Sequence, residues 1–201
     1  MGSTVFIGHY EQDNDKTNGM EEIEWVVLAN NGKTATLISK YVLDYKPYNN
    51  KSQSFYWLKT WEECSLREWL NNGFMSNAFS EDEQEMLETI KVSAHKNPRP
   101  DDILSSDPGK ATWDTVYLLS IKEAEQLFDS DMTRYCEPTA YAKAKGVKWD
   151  EENGGCWWWL RTPGEYNAKA AGVSSYGSIS YRGVDVDCSE AVRPVVVIRL
   201  E

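Results

Sequence analysis

Histidine is scarce in this chain and cysteine is never clustered, and both shortages limit the chemistry the protein can carry out. Only His9 and His95 are histidines, and the four cysteines contain no C-x-x-C pair. A structural zinc site needs several Cys or His ligands held together, and a Cys–His nucleophile needs a histidine beside a thiol. No glycine-rich phosphate loop or serine nucleophile elbow is present either. We therefore expect no catalytic residue, no metal and no cofactor.

Basic residues are also in deficit. The chain has 21 Lys and Arg against 32 Asp and Glu, a formal net charge of -11. Such a balance repels phosphate backbones and anionic lipid, so we expect no nucleic-acid partner. No stretch is long and apolar enough to span a bilayer, and MGSTVFIGHYEQ lacks the regions of a signal peptide. We expect no direct membrane insertion.

The cysteines leave two interpretations open. Their even number permits two disulfides in any of three connectivities, whereas free buried thiols are the simpler alternative. The residues concerned are Cys64, Cys136, Cys156 and Cys188.

Aromatic residues, in contrast, are abundant, and they predict a sizeable core. Nine Trp and eleven Tyr occur among 201 residues, a length that suits one large domain. We interpret residues 1–4 as an expression remnant or linker and residues 5–201 as a single domain. If this interpretation is right, the native targeting signal lies outside these 201 residues.

The order of predicted elements indicates an α+β fold. EEIEWVVLA, an Asn-Asn-Gly turn and TATLISKYVL predict a β-hairpin. Helices are predicted in the middle: one capped by Ser65 and stopped by Gly73, two that begin with capping boxes (Ser80 with Glu83, Ser120 with Glu123), and one from Pro138 to Gly146. Everything after residue 154 predicts β-structure.

Three consecutive tryptophans, Trp157 to Trp159, begin the most unusual of these strands. Because alternate side chains of a strand face opposite sides, Trp157 and Trp159 should share one face and Trp158 the other. VVVIRL is apolar on both faces as well, so the two strands are expected to be neighbours in a covered sheet. The triplet is interpreted as core, with one ring acting as a binding platform as the alternative.

Seven segments in order resemble a bacterial domain family of unknown function that is common in gut bacteria. They are IEWVVL, TLISKYVLDYKPYN, TWEECSLREWLNN, VYLLSIKEAEQLF, CEPTAYAKAKG, GCWWWLRTPG and AVRPVVV. WWWLRTPG, the stretch 164–190 and AVRPVVVI also resemble the C-type-lectin-like fold, in the version of formylglycine-generating enzymes. That resemblance implies an aromatic strand, an irregular loop-rich stretch and a closing strand with an Arg.

This sequence matches poorly the residues that carry the chemistry of these relatives. Formylglycine-generating enzymes are similar in using a closely spaced cysteine pair to hold copper, whereas Cys156 and Cys188 lie far apart in sequence. Related sulfoxide synthases use three histidines for iron. The calcium-dependent sugar motif of lectins resembles Glu137-Pro138-Thr139 only in part.

The segment 164–190 is the best candidate for binding. Twelve of its 27 residues are Tyr, Ser or Gly, a mixture typical of antibody paratopes. The candidate binding residues are Tyr166, Asn167, Lys169, Ser174, Ser175, Tyr176, Ser178, Tyr181, Arg182, Asp185 and Asp187. An ordinary exposed hairpin favours the same small polar residues and is the alternative interpretation.

Two sets of charged residues near this segment have alternative roles. Asp185, Asp187 and Glu190 could bind calcium through oxygen ligands, or could form a charged outer strand face. Arg161 and Arg193 are expected to pair with a carboxylate or carbonyl group rather than with a substrate.

The sequence therefore favours a non-catalytic binding module over an enzyme. We expect a glycan, peptide or protein ligand and a location outside the cytoplasm, within a larger surface or secreted bacterial protein. An enzyme related to formylglycine generators and a structural spacer domain are the alternatives.

Overall fold

Two five-stranded sheets organise the chain in the computed structural model, which describes residues 2–50, 60–98, 106–166 and 168–200. The first sheet has the order β1 (Thr4–Tyr10), β2 (Glu21–Asn30), β3 (Thr34–Ser39), β12 (Val195–Arg199) and β7 (Val116–Tyr117). The second has the order β10 (Ile179–Asp185), β9 (Lys169–Val173), β8 (Trp158–Pro163), β11 (Ser189–Val192) and β4 (Asp44–Pro47). β5 (Ile90–Val92) and β6 (Thr112–Asp114) form a two-stranded ribbon. Sheets dominate a fold of the predicted α+β class.

Short helices connect the strands. They are α1 (Ser65–Trp69), α2 (Met75–Ala78), α3 (Glu81–Met86), α4 (Ile121–Leu127), α5 (Asp131–Arg134) and α6 (Ala140–Lys145), with a 3-10 turn at Trp61–Glu63. None of the helices in the described part of the chain is long and apolar enough to cross a membrane.

The N-terminal hairpin is confirmed. β2 and β3 pair antiparallel, and the Asn31 side chain accepts hydrogen bonds from the backbone N–H groups of Lys33 (2.9 Å) and Thr34 (2.8 Å). An asparagine that binds the backbone of its own turn fixes the register of the returning strand. The two predicted capping boxes are also confirmed, at the starts of α3 and α4.

Three predicted helix boundaries are wrong. Cys64, not Ser65, is the N-cap of α1, and the chain continues through a π-helical turn at Leu70–Phe74 into α2 instead of stopping at Gly73. A Cβ at Gly73 would lie 3.1 Å from the Trp69 ring, so this glycine leaves room for tryptophan rather than ending a helix. Thr139, not Pro138, begins α6, because its hydroxyl accepts the Ala142 N–H at 3.1 Å.

The tryptophan strand β8 is the middle strand of the second sheet. Trp158 and Trp159 are fully buried, and their indole N–H groups donate to backbone carbonyls at 3.3 and 2.9 Å. Trp157 shares the face of Trp159, as predicted, with ring centroids 5.0 Å apart. It is half-buried and covers Gly172 of β9, where a Cβ would meet the ring at 2.0 Å. The triplet is therefore core.

The prediction that VVVIRL lies beside the tryptophan strand is wrong. β12 pairs with β3 and β7 in the first sheet, whereas β8 pairs with β9 and β11 in the second. The β-structure is interrupted at Arg193-Pro194. The strands on either side of this dipeptide, β11 and β12, belong to different sheets. Proline has no N–H to donate to a ladder, so a continuous strand is disfavoured there. A buried apolar pattern indicates a covered strand but does not identify its neighbour.

Candidate functional site

The segment predicted to bind forms the β9–β10 hairpin at one edge of the second sheet. Ile179 pairs with Val173 near the turn, and Asp185 pairs with Lys169 at the other end. The register shifts between Ser180 and Val184. Gly183 sits in this bulge with a φ of +71°, and a Cβ there would lie 2.1 Å from the Ala170 carbonyl oxygen. The bulge therefore requires glycine.

The predicted binding residues do not form one compact group. Ser174, Ser175, Tyr176 and Ser178 lie at the tip of the hairpin, whereas Tyr166, Lys169, Arg182, Asp185 and Asp187 lie towards its base. Asn167 falls outside the described residues. The five residues of β9 separate the two groups by roughly 15 Å of extended chain. The hairpin thus has two separate candidate surfaces.

At the base of the hairpin, the charged side chains of Glu165, Lys169 and Arg182 form ion pairs with one another. The Lys169 ammonium lies 3.0 Å from a Glu165 carboxylate oxygen and 5.6 Å from the centre of the Tyr166 ring. Arg182 approaches the other oxygen of Glu165 at 3.7 Å. Tyr166 is 52% exposed. One ring is therefore available at the base, with a lysine beside it.

Tyr181 has a structural role between the two ends. Its hydroxyl donates to the Glu125 carboxylate at 2.6 Å, its carbonyl oxygen accepts from the Asn97 amide at 2.8 Å, and its ring packs against the core. Its side chain ties the edge strand β10 to helix α4. We therefore separate Tyr181 from the residues that can contact a ligand.

The tip is a closed turn that holds Tyr176 outward. The Ser174 N–H donates to the Ser178 carbonyl at 2.8 Å, and the Gly177 N–H donates to the Ser174 carbonyl at 2.9 Å. Gly177 has a φ of +81°, and a Cβ there would lie 1.7 Å from the Asp131 carbonyl oxygen. Tyr176 is 61% exposed, and its hydroxyl donates to Asp150 Oδ2 at 2.8 Å.

Two other segments of the chain meet the tip. A Cβ at Gly155 would lie 2.2 Å from the Ser175 carbonyl oxygen and 2.5 Å from the Tyr135 ring, so all three pack closely. The Tyr135 hydroxyl contacts the Asn153 carbonyl oxygen and Glu137 Oε1, the latter at 2.9 Å. Trp149, which precedes Asp150, is 44% exposed. We call this surface the tip corner; its members are Tyr135, Glu137, Trp149, Asp150 and Tyr176.

The titrating groups of the tip corner are coupled by these bonds. The hydrogen bond from the Tyr176 hydroxyl lowers the pKa of Asp150, and backbone N–H groups of Asn153 and Glu152 lower it further. The same Asp150 bond raises the pKa of Tyr176. Burial, followed by the bond to Glu137, raises the pKa of Tyr135 to about 12. At neutral pH the Asp150 carboxylate therefore lies beside protonated phenols.

Sequence reasoning missed the tip corner. Glu137 was considered only as part of an incomplete lectin motif. The bond between Asp150 and Tyr176 joins residues 26 positions apart, and no local pattern marks such a contact. The exposed tyrosine was the one part of the corner that the sequence identified.

The carboxylates proposed for calcium do not converge in the described residues. Asp185, Asp187 and Glu190 form no group with oxygens within 4.8 Å of one another. Glu190 is half-buried in β11, and burial raises the pKa of its carboxyl to about 7, against the lowering effect of Lys148.

A different carboxylate group could hold a metal. Glu11, Asp13 and Glu21 bring oxygens within 4.8 Å at the β1–β2 connection. Among the described residues, the buried Glu11 Oε1 has no hydrogen-bond partner, whereas Glu21 Oε2 accepts the Gln12 N–H at 2.6 Å. Oxygen ligands of this kind suit calcium. The sequence analysis did not single out these residues.

Both arginines singled out in the sequence are buried and pair inside the protein, as predicted. Arg161 forms an ion pair with Glu123 and donates to the Leu118 carbonyl at 2.7 Å. Arg193 donates to the carbonyls of Ser39 (2.9 Å) and Arg134 (3.1 Å), and its guanidinium lies 5.1 Å from the centre of the Trp158 ring. Neither guanidinium faces solvent.

All four cysteines are free thiols. Cys136 and Cys156 are neighbours in space, since the Cys156 thiol contacts the Cys136 carbonyl oxygen at 3.5 Å. Both are buried, and burial raises the pKa of each thiol. Burial likewise raises the pKa of Cys64 to about 12. Because the thiolate is the nucleophile and the metal ligand, these environments favour inert structural thiols.

His95 packs against the start of helix α4. It is half-buried, and its Nδ1 lies 3.0 Å from the Ser120 hydroxyl. Burial, and then the charge of Arg161, lowers the pKa of this imidazole. Ser120 is fully buried and its oxygen also accepts the Glu123 N–H at 3.1 Å. Ser120 is therefore the N-cap of helix α4, and its buried hydroxyl is not an exposed nucleophile.

Comparison with known proteins gives a family but no further relative. No match to the chain was found among curated proteins or among solved structures. The model of a domain of unknown function, DUF6273, matches residues 31–200, which include both sheets except β1 and β2. The chain therefore belongs to the DUF6273 family.

Proposed function

We propose that the chain is a non-catalytic binding module with a C-type-lectin-like fold that contacts a glycan, peptide or protein ligand through residues 164–190. It would be carried by a larger bacterial protein on the cell surface or secreted. The observation that carries the proposal is the pair of exposed tyrosines, Tyr166 and Tyr176, on a hairpin whose backbone is held by internal hydrogen bonds. Exposed rings on a rigid support give contact area at low entropic cost.

The order of elements supports the C-type-lectin-like part of the proposal. The aromatic strand β8 ends at Thr162-Pro163, the stretch 164–190 follows, and the chain closes through β11 and β12 around Arg193. This order agrees with the pattern that the sequence resemblance implies. The location outside the cytoplasm is proposed from the same resemblance.

Proximity of Cys136 and Cys156 is the one observation that favours the enzyme alternative. A redox or copper-binding pair requires cysteines that are close in space, and these two are neighbours. Their burial and raised pKa values argue against ready thiolate formation. Stoichiometric copper or iron in the purified protein would favour the enzyme over the binding module.

A ligand array tests the binding proposal. Wild-type protein is compared with a Tyr166→Ala, Tyr176→Ala double variant on arrays of glycans, peptides and bacterial surface proteins. Tyr181 is kept because its hydroxyl bond to Glu125 supports the hairpin. Trp113→Ala is the matched control, since Trp113 is an exposed aromatic on β6, away from the hairpin.

We expect a ligand that binds the wild type and the Trp113→Ala variant and that the double variant loses. Circular dichroism should show the same fold in all three proteins. Equal binding by all three proteins, or no ligand for any of them, contradicts the proposal. The latter result is the one that a structural spacer predicts.

A further inference from the structure

The two exposed tyrosines of the hairpin differ in what surrounds their rings. The Lys169 ammonium lies 5.6 Å from the centre of the Tyr166 ring, and it is also paired with Glu165. In the described part of the chain, no other ring and no cation is recorded against Tyr176. Its only bonds are made by the hydroxyl at the ring edge and by the backbone N–H. The faces of the Tyr176 ring are therefore the more accessible of the two.

Both exposed rings of the tip corner are held in place before any ligand arrives. The Tyr176 hydroxyl is fixed by Asp150, whose other oxygen accepts the backbone N–H groups of Glu152 (3.0 Å) and Asn153 (3.1 Å). Trp149 is fixed by Lys143, whose ammonium lies 5.0 Å from the centre of the indole ring. Trp149 is also held by a backbone bridge to Cys156. Rings restrained in this way lose little further freedom on binding.

The backbone of the tip has little to offer a peptide. The N–H groups of Ser174 and Gly177 are bonded to carbonyls within the turn, and the Tyr176 N–H donates to the Ser174 hydroxyl at 3.3 Å. Addition of a peptide strand requires a free row of backbone donors and acceptors. Recognition at this end must therefore use side chains.

Those side chains combine flat apolar faces with hydrogen-bond acceptors. Glu137 is exposed beside Tyr135, Ser178 is exposed near Tyr176, and Asp150 accepts the Tyr176 hydroxyl. A pyranose ring has the complementary surface, because one side carries C–H groups that lie flat on an aromatic ring while its hydroxyls donate at the edge. Carboxylates and hydroxyls are the acceptors that such donors need.

We infer that the tip corner is a saccharide-binding surface, with the ring of Tyr176 as the platform and Glu137 as an acceptor for sugar hydroxyls. This inference rests on the proposed binding function and names its ligand class. It requires a neutral sugar, because Glu137, Glu151 and Glu152 give this end of the molecule an excess of negative charge. Acidic sugars are disfavoured there by like-charge repulsion.

Titration with neutral oligosaccharides tests the inference. Gluco-, manno-, galacto- and N-acetylglucosamine oligomers are titrated into the protein and followed by calorimetry. We expect at least one to bind, with the affinity reduced roughly tenfold or more by Tyr176→Ala. Tyr176→Phe keeps the ring and should stay within about threefold of the wild type.

Trp113→Ala is the matched control away from the hairpin, and it should leave saccharide affinity within about twofold of the wild type. Thermal unfolding of each variant separates a lost contact from a lost fold. If the array finds instead a basic peptide or a protein ligand, or if binding depends on Tyr166 alone, the saccharide inference is overturned while the binding module stands. If no neutral oligosaccharide binds, the inference is also overturned.

Discussion

The guanidinium of Arg161 and the carboxylate of Glu123 join the middle strand of the second sheet to the first turn of α4. Arg161 Nη2 donates to Glu123 Oε1 at 2.7 Å, and Nη1 contacts the other oxygen. That second oxygen also accepts the Ser120 N–H at 2.8 Å. A single carboxylate thus completes a capping box and neutralises an arginine that is almost fully buried. The helix and the strand are therefore expected to lose stability together.

Glu123→Gln should destabilise the protein by about 3 kcal/mol, because it leaves the buried Arg161 charge without a counter-ion. Burial opposes ionisation of Glu123, but the bonds and charge of Arg161 outweigh burial and lower the pKa of this carboxyl. Chemical denaturation of wild type and variant measures the difference. The control is Glu88→Gln, which breaks the exposed pair with Arg199 at 2.7 Å and should cost less than about 1 kcal/mol. Similar losses in both variants would contradict a special role for the buried pair.

Glu190→Gln should stabilise the protein at pH 8 and have little effect at pH 4. Burial raises the pKa of Glu190 to about 7, above the value of about 4.3 expected in the unfolded chain. Between these values the folded state binds more protons than the unfolded state, so the contribution of Glu190 to stability falls as pH rises. Glutamine cannot ionise and removes this loss.

The measurement is the difference in melting temperature between variant and wild type at a series of pH values. Taking the difference cancels the other titrating groups. We expect the difference to grow between about pH 4 and pH 8. A constant difference, or one that shrinks as pH rises, would show that the pKa of Glu190 is not raised in the folded state.

Gly177→Ala should destabilise the protein by about 3 kcal/mol and displace the tip. The substitution places a methyl group 1.7 Å from the Asp131 carbonyl oxygen, so backbone has to move. Gly32→Ala is the control, because Gly32 also has a positive φ (+83°) but nothing lies within 4 Å of the new methyl group. Strain alone should cost the control about 1 kcal/mol. If denaturation experiments show that both variants lose the same free energy of unfolding, the contact between residue 177 and the Asp131 carbonyl oxygen is not tight.

One thiol of the native protein should react with a thiol reagent and three should not. Cys188 is exposed, whereas Cys64, Cys136 and Cys156 are buried. Burial, together with the charges of Asp187 and Asp185, raises the pKa of Cys188, so its reaction should speed up as pH rises from 7 to 9. Colorimetric titration before and after unfolding counts the thiols, and Cys188→Ser is the control that abolishes the native signal. Fewer than four thiols after unfolding without reductant would indicate a disulfide.

Local patterns in the sequence predicted local structure well. The Asn-Asn-Gly turn and the two capping boxes are confirmed because a few adjacent residues supply all their hydrogen bonds. The alternation of Trp157, Trp158 and Trp159 is confirmed for the same reason, since strand geometry alone decides which side each ring faces.

Relationships between distant segments could not be predicted in this way. β8 and β12 are both apolar on two faces, but the pairing partners of each depend on the whole sheet. The role of Gly73 is local, because the Trp69 ring four residues before it occupies the space that a Cβ would need, but the glycine alone does not distinguish this role from a helix stop. Similarly, Tyr176 could be identified as exposed, whereas its bond to Asp150 arises from packing between turns.

The separation of β8 and β12 into different sheets also determines how the protein should respond to mechanical load. β1 and β12 belong to the first sheet, so tension applied through these two strands is transmitted along the β1-β2-β3-β12 ladder. β9 and β10 lie outside that path, in the second sheet. A domain pulled through β1 and β12 would therefore extend from the first sheet while the hairpin kept its shape.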